Sequence, residues 1–358
     1  MKILYISPEN TVGLLSIWQK IHQIKGNQCD FVTMYPSKQK FDNGICLNLP
    51  WISTRDRYIS LRNKYYKISR GPLGDQQPTR GSIYNKNNIL EAVYFPVRDI
   101  LWSRKIEKAV EDYGLLDYDY YHFEWGMDFY RSCAFAEKVK SMGKPIIASY
   151  HGQDIRTRGV FKKMDRLADI NITSEIDLLD SYDKLTHLCL PYDVKQHNPN
   201  TSVSDKIRIC HAPTNRYYKG SDIIIPACEK LAAENNNIEF TIMENMSYSD
   251  VMNEKKNCDI IVDQVGDRGG WGYGMSSVES MSMGLCSATQ INDNAKKEIP
   301  NHPFIAINKD NIYNKLYEIV NDAEKLSQYK QQSYEWVTKN HSLESVGSKL
   351  YKLYDNIS

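Results

Sequence analysis

The strongest constraint on the fold of this chain is a rhythm of short apolar runs. KILYI (2–6), CDFVTM (29–34), DYYHF (119–123), PIIASY (145–150) and THLCL (186–190) alternate with stretches of helical periodicity such as IEKAVEDYG and CAFAEKVKSMG. Runs this apolar suit strands covered on both faces, and strands that alternate with helices make a parallel sheet, because parallel neighbours need a crossover between them. Gly143, with Pro145 just beyond it, supplies a helix stop. The rhythm restarts at KIRIC (206–210) and runs on through IEFTIM (238–243), CDIIVD (258–263), LCSATQI (285–291) and PFIAI (303–307). With 358 residues available, the reading is two doubly wound α/β domains with a cleft between them. The polar stretch LPYDVKQHNPNTSVSD (190–205), with its two prolines, is expected to join them as a hinge.

Between about residues 35 and 105 the rhythm fails, which marks an insertion. Within it RDRYISLRNKYYKISR (55–70) carries six Lys or Arg, one acid and three tyrosines. That segment reads as a solvated loop, or else as a site for an anionic or lipid-linked acceptor or a peripheral contact with a membrane surface. The chain as a whole balances 45 basic against 44 acidic residues, so no global field draws it to nucleic acid. Its eight cysteines are widely spaced and never fall as CxxC, which fits buried reduced thiols rather than a disulfide frame or a zinc site. MKILYISPEN is too short in apolar residues for a signal peptide, and no window approaches a membrane span. A cytoplasmic protein is expected, with any membrane contact peripheral and at the inner face.

Two stretches carry chemistry. In HAPTNRYYKGSD (211–222), Arg216, Lys219 and Gly220 follow a strand, in an expected loop at the carboxyl edge where open α/β sheets bind ligands. A guanidinium fork and an ammonium there suit a diphosphate, and a glycine lets the backbone come close. The second stretch, DQVGDRGGWGYGMSSVESMSMGLCSATQI (263–291), puts five glycines ahead of a short helix expected over about Ser276 to Met283. Glycines before a helix start leave amide N–H groups at the positive end of the dipole, an anion cradle built from Gly272, Tyr273, Gly274, Met275 and Ser276. Glu279, one turn further on, is suited to accept from the vicinal hydroxyls of a ribose, as an acid does in dinucleotide folds.

Together these stretches resemble the donor half of retaining glycosyltransferases of the GT-B fold, family 4-like, also called glycosyl transferases group 1. The resemblance covers roughly residues 145 to 358. It implies an α/β fold of two Rossmann-like domains: 1–192 for the acceptor, 193–340 for the nucleotide-sugar donor, and a helix over 341–358 crossing back to the first. It further implies that Arg216 and Lys219 stabilise charge on the leaving diphosphate, so that no metal and no cofactor is needed beyond the nucleoside diphosphate sugar, with a bias to UDP. SYHGQDIR (149–156) resembles the family's His loop, giving His151 a place near the transferred sugar and Asp154 a weaker claim. Gly13 in SPENTVGLL matches the glycine loop after the first strand. The implied acceptor is a glycan or lipid-linked glycan in surface polysaccharide or glycoconjugate synthesis.

The chain departs from the family in one respect. Members often carry a second glutamate eight positions before the ribose acid, where this sequence has Trp271; Asp263, Asp267 or the amides of Gly272 to Met275 are the candidates to substitute. Glu124 and Asp128 in HFEWGMD are candidates to bind acceptor hydroxyls. DYD (117–119) has the letters of a metal motif but opens an apolar strand. The missing glutamate leaves open a non-catalytic partner of an active transferase, and the fold also admits a sugar-nucleotide epimerase.

Overall fold

The computed structural model describes residues 1–37, 40–50, 89–266, 268, 270–293 and 295–357. The basic segment 55–70 and Asp267 lie outside the described residues. The chain divides into two compact units, the first of Met1–Ser174, Leu178–Leu188 and Lys349–Ser358, the second of Glu175–Asp177 and Cys189–Ser348.

The first unit is built on a seven-stranded parallel sheet in the order β3-β2-β1-β4-β5-β6-β7. Its elements are β1 (Lys2–Ser7), α1 (Leu14–Ile24), β2 (Gln28–Thr33), β3 (Ile45–Cys46), α2 (Ile89–Asp112), β4 (Tyr120–Glu124), α3 (Ala134–Ser141), β5 (Ile146–Tyr150), α4 (Gln153–Thr157), α5 (Lys162–Leu167), β6 (Ile170–Thr173) and β7 (Leu185–His187). The apolar runs become central strands because nearly every residue has a covered face: Ile3 to Ile6, all of β4 and all of β5 are buried. The strand β6, INIT, escapes the sequence pattern because it is short and half polar. The long α2 occupies the end of the stretch expected as an insertion, and β3 its beginning.

A polar cluster sits among these elements. His22 of α1 is bonded to the phenols of Tyr5 (3.0 Å) and Tyr351 (2.8 Å), and His122 of β4 to that of Tyr354 (2.6 Å). Tyr5 and His122 stack with ring centroids 4.1 Å apart. Burial holds His22 down to about 4 and His122 well below the ordinary imidazole value, so both rings are neutral spacers between helix and sheet.

The second unit carries a five-stranded parallel sheet, order β12-β11-β10-β8-β9. Its elements are β8 (Ile207–His211), α6 (Arg216–Lys219), α7 (Ser221–Glu234), β9 (Ile238–Ile242), α8 (Tyr248–Lys255), β10 (Ile260–Val262), α9 (Met275–Ser282), β11 (Cys286–Thr289), α10 (Ala295–Glu298), β12 (Ile305–Ala306), α11 (Ile312–Val320), α12 (Ala323–His341) and α13 (Leu343–Asp355), the last running on into the first unit. Ile209, Ile260, Val262, Cys286 and Ala288 form its core with Ile224, Cys228 and Leu231 of α7 and Leu316 and Leu326 of α11 and α12. The stretch 190–205 follows the change of unit at Leu188 and Cys189 and is tied to this unit by its backbone: Tyr192 N–H donates to His341 O and Asn200 N–H to Met283 O. All eight cysteines are free.

In both sheets the strand order reverses once, between β1 and β4 in the first and between β8 and β10 in the second. Such a switch point opens a crevice at the carboxyl ends of the two strands.

Candidate functional site

At the second unit's switch point the chain turns twice. After β8, Asn215 caps α6 by accepting from Tyr217 N–H and Tyr218 N–H at 3.0 and 3.2 Å, so Arg216 and Lys219 lie on a single helical turn rather than in the expected loop. The Asn cap forms that turn because its short side chain satisfies two amides that have no helical acceptor. Gly220 ends it at φ 69°, pressed so close to β10's exit that a Cβ would stand 1.8 Å from Val265 O. This close approach, together with His211, holds Lys219 in position. His211 donates from Nδ1 to Val262 O (2.7 Å) and accepts at Nε2 from the Ser221 hydroxyl (2.8 Å).

After β10, Asp263 is 3 % exposed and gathers three donors: Lys219 Nζ at 2.5 Å, Ser277 Oγ at 2.7 Å and Gly274 N–H at 3.0 Å. Burial alone would raise this carboxyl, but the Lys219 charge and these hydrogen bonds outweigh it and bring it down to about 2. A cation and the amino end of α9 therefore converge on one carboxylate. Both oxygens of Asp263 are engaged by the protein itself, so its role here is to aim Lys219 and cap α9. The helix begins at Met275, one residue before the expected start, and stops before Gly284 at φ 88°. The amides of Met275 and Ser276 lie in its first turn, where no intrahelical acceptor exists.

The glycine loop ahead of α9 is braced from β11. Gly272 N–H donates to Gln290 O (2.9 Å), and Gly272 O accepts from Thr289 Oγ1 (2.6 Å) and Gln264 Nε2 (3.2 Å). The Tyr273 ring does not face the loop's open side. It is packed between Phe304 and Trp336, with its hydroxyl 3.1 Å from His341 Nε2, so only its backbone is available to a ligand.

Glu279 lies one turn into α9 and is 7 % exposed. Its Oε2 accepts from Lys255 Nζ at 2.7 Å and its Oε1 from the Tyr248 hydroxyl at 3.0 Å. Lys255 also donates to Ser276 Oγ at 3.0 Å. Burial and the Glu279 charge push the Tyr248 phenol well up. Neither Lys255 nor Tyr248 was expected from sequence, although one signal was there: Lys255 follows Val251 and Met252 at helical spacing, on the apolar face of α8.

Arg216 is turned elsewhere. Its guanidinium forks onto Glu244, Nε to Oε1 at 2.8 Å and Nη2 to Oε2 at 2.6 Å. Beside it lies an open hollow of about 600 Å³ lined by Arg216, Tyr217, Ser221, Asp222 and Arg268. None of Lys219, Asp263 or Glu279 lines that hollow.

The first unit holds its own group at the ends of β4 and β5. His151 Nε2–H donates to Glu124 Oε2 at 2.5 Å. Glu124 is 2 % exposed, and its Oε1 is buried without a hydrogen-bond partner. Asp154 accepts from the backbone of His151 (3.0 Å) and Ile155 (2.7 Å), closing the turn rather than facing outward. Asp128 likewise accepts from Tyr130 and Ala136 N–H at the start of α3, and its burial raises it to about 7. Gly13, at φ 72°, opens α1 after β1. Among the described residues no group of three or more His, Cys, Asp or Glu is arranged to hold a metal ion, and no described helix is long and apolar enough to cross a membrane.

No family model matches the sequence, and no curated protein matches it. Solved structures do match over nearly the whole chain. Alr3699/HepE of Anabaena, in complex with UDP and glucose, is 11 % identical with a TM-score of 0.55 over 99 % of this chain and 100 % of its own. Sucrose-phosphate synthase of Thermosynechococcus elongatus is 10 % identical with a TM-score of 0.60 over 100 % and 99 %. A putative UDP-N-acetylglucosamine 2-epimerase of Listeria monocytogenes is 10 % identical with a TM-score of 0.57 over 99 % and 96 %. At this identity the likeness is one of fold: two parallel sheets flanked by helices, the GT-B architecture.

Proposed function

We propose that this protein transfers a sugar from a nucleoside diphosphate sugar, a UDP-sugar by preference, to a hydroxyl of a glycan acceptor, with retention at the anomeric carbon and without a metal. The observation that carries the reading is the convergence of Lys219 and the amino end of α9 at a sheet switch point, with Glu279 further along the same helix. Five residues of helix separate Gly274 from Glu279, roughly 7 to 8 Å at 1.5 Å per residue. That is the length scale between a diphosphate and the 2′ and 3′ hydroxyls of its nucleoside.

As the glycosidic bond breaks, negative charge grows on the leaving phosphate. Lys219 and the amides of Met275 and Ser276 meet that charge as it develops, and Arg216 joins them on leaving Glu244. His151, backed by Glu124, contacts the sugar or the incoming hydroxyl. The solved GT-B neighbours include proteins described with UDP and glucose, which agrees with a UDP-sugar donor. Family 4 membership, a hexosyl donor, a lipid-linked acceptor with peripheral membrane contact through 55–70, and a role in surface glycoconjugate synthesis at the inner membrane face are the finer parts of the proposal.

The test is calorimetric titration of UDP into the wild type and Glu279→Ala in EDTA, followed by a panel of UDP- and GDP-sugars with NMR assignment of the product anomer. Micromolar binding lost in the variant, and a product of retained configuration, support the reading. Trp271 favours a second one, a non-catalytic partner, which no nucleotide would bind. Conversion of UDP-N-acetylglucosamine to its epimer without an acceptor would mean an epimerase instead.

A further inference from the structure

Lys255 is the feature of the second unit that the proposed reaction does not use. Its side chain is 2 % exposed, so it touches no ligand directly. A buried cation is costly unless it is paired, and a buried pair adds little stability over apolar residues of the same size. The unit contains a second such pair, Lys330 Nζ to Asp259 Oδ1 at 2.6 Å, in which Lys330 also donates to Ser202 O and Asp259 also accepts from Arg208 N–H. That pair ties segments of chain together. The Lys255 pair differs in what surrounds the acid: Glu279 sits on the helix whose first turn holds the anion cradle, and its other oxygen meets the phenol of Tyr248, a residue 54 % exposed.

We propose that Lys255 is a positioning residue for nucleoside recognition: with Tyr248 it fixes the rotamer of Glu279, leaving the second lone pair of each carboxylate oxygen for a ribose hydroxyl. The inference rests on the reading of Glu279 as the ribose acid. A carboxylate accepts from hydroxyls more strongly than a neutral group does, and one already fixed in place gives up less side-chain freedom when the ribose binds. Lys255 approaches from α8, bonded at once to Glu279 and to Ser276, so it also sets the acid against the helix start. The selected ligand class is a ribonucleoside diphosphate over its 2′-deoxy counterpart.

The experiment compares UDP and 2′-deoxy-UDP by calorimetry in the full chain. The wild type is expected to prefer UDP by about 10- to 100-fold, the worth of a hydrogen bond to a charged group. Glu279→Gln should remove that preference. Lys255→Met, checked for folding by its melting profile, should bring it to within about threefold, as the carboxylate loses its fixed position; Lys255→Arg should keep it. A purely structural lysine would weaken both ligands alike and leave the ratio unchanged, and that result overturns the proposal. A wild type that binds UDP without preferring it to the deoxy form refutes the ribose reading of Glu279 and the proposal with it; a wild type that binds neither refutes the nucleotide site as a whole. Should Lys255→Met not fold, Lys255→Met/Glu279→Gln is compared with Glu279→Gln. Equal UDP affinity is expected, and a further loss shows Lys255 acting on its own.

Discussion

Replacing Asp263 by Asn should destabilise the second unit strongly at neutral pH and much less in acid. The substitution removes the charge that Lys219 meets at 2.5 Å and weakens the caps on Ser277 and Gly274. The Asp263 side chain is 1 % exposed and that of Lys219 18 %, so Lys219 can reach water when its partner goes. The cost then falls at the low end of the roughly 3–5 kcal/mol seen for breaking a buried pair. Linkage gives a figure of the same order: the fall of the Asp263 carboxyl from 3.8 to about 2 is worth about 2.4 kcal/mol of stability at pH 7. Because the folded value is depressed, that stabilisation is complete above about pH 5 and is lost as pH falls towards 2, with about half remaining at pH 3. For a unit of this size about 3 kcal/mol corresponds to roughly 6–12 °C in Tm. Scanning calorimetry of wild type and Asp263→Asn at pH 7 and pH 3 measures both gaps. A neutral-pH gap under about 2 °C, or one that does not narrow in acid, would refute the account of Asp263 as an internal counter-ion.

Lys219→Ala should lower turnover by about 100- to 1,000-fold, as loss of one group that stabilises transition-state charge does, while Arg216→Ala, which first loses only its Glu244 pair, should lower it less; initial rates with the nucleotide sugar that the panel selects decide the order. Gly220→Ala should prevent folding of the second unit, since a Cβ would meet Val265 O at 1.8 Å at a φ of 69°, whereas Gly143→Ala, also left-handed but in open space, should cost only about 1–2 kcal/mol in urea denaturation. In the first unit His22, with its folded value held at about 4 against 6.5, should take away about 2 kcal/mol of stability between pH 7 and pH 5, because a depressed imidazole stabilises only while neutral. His22→Gln should flatten that part of the profile. Turnover should be unchanged by EDTA if cations of the chain carry the phosphate charge, and a tenfold loss (about 1.4 kcal/mol) restored by a divalent ion would contradict the proposed mechanism.

How far a sequence can be read depends on the range of the interaction behind each feature. The strands KILYI, PIIASY and CDIIVD are legible because burial on both faces writes itself as an unbroken apolar run, and Gly143 and Gly284 because each ends a helix at positive φ. The one-turn helix at Arg216 reads as loop in the sequence, since its cap, Asn215, acts on only two amides. By sequence Asp263 is one of three candidates, with Asp267 and the amides of Gly272 to Met275, to meet the sugar; in the fold its oxygens meet a lysine 44 residues away in the chain and the start of a helix. Tyr273 enters the cradle through its backbone amide, and no local pattern shows that its ring turns into an aromatic cluster with Trp336 and His341.

By itself, then, the sequence determined two parallel sheets, the glycine loop and the short list of charged residues beside it, because periodicity and backbone freedom are local properties. Only the tertiary structure decided that Lys219 is held by Asp263, that Arg216 turns to Glu244, and that Lys255 is buried against Glu279. A charge in sequence has no preferred partner until folding removes water from around it; which opposite charge then stands within 3 Å is set by the crossing of elements that no local pattern encodes.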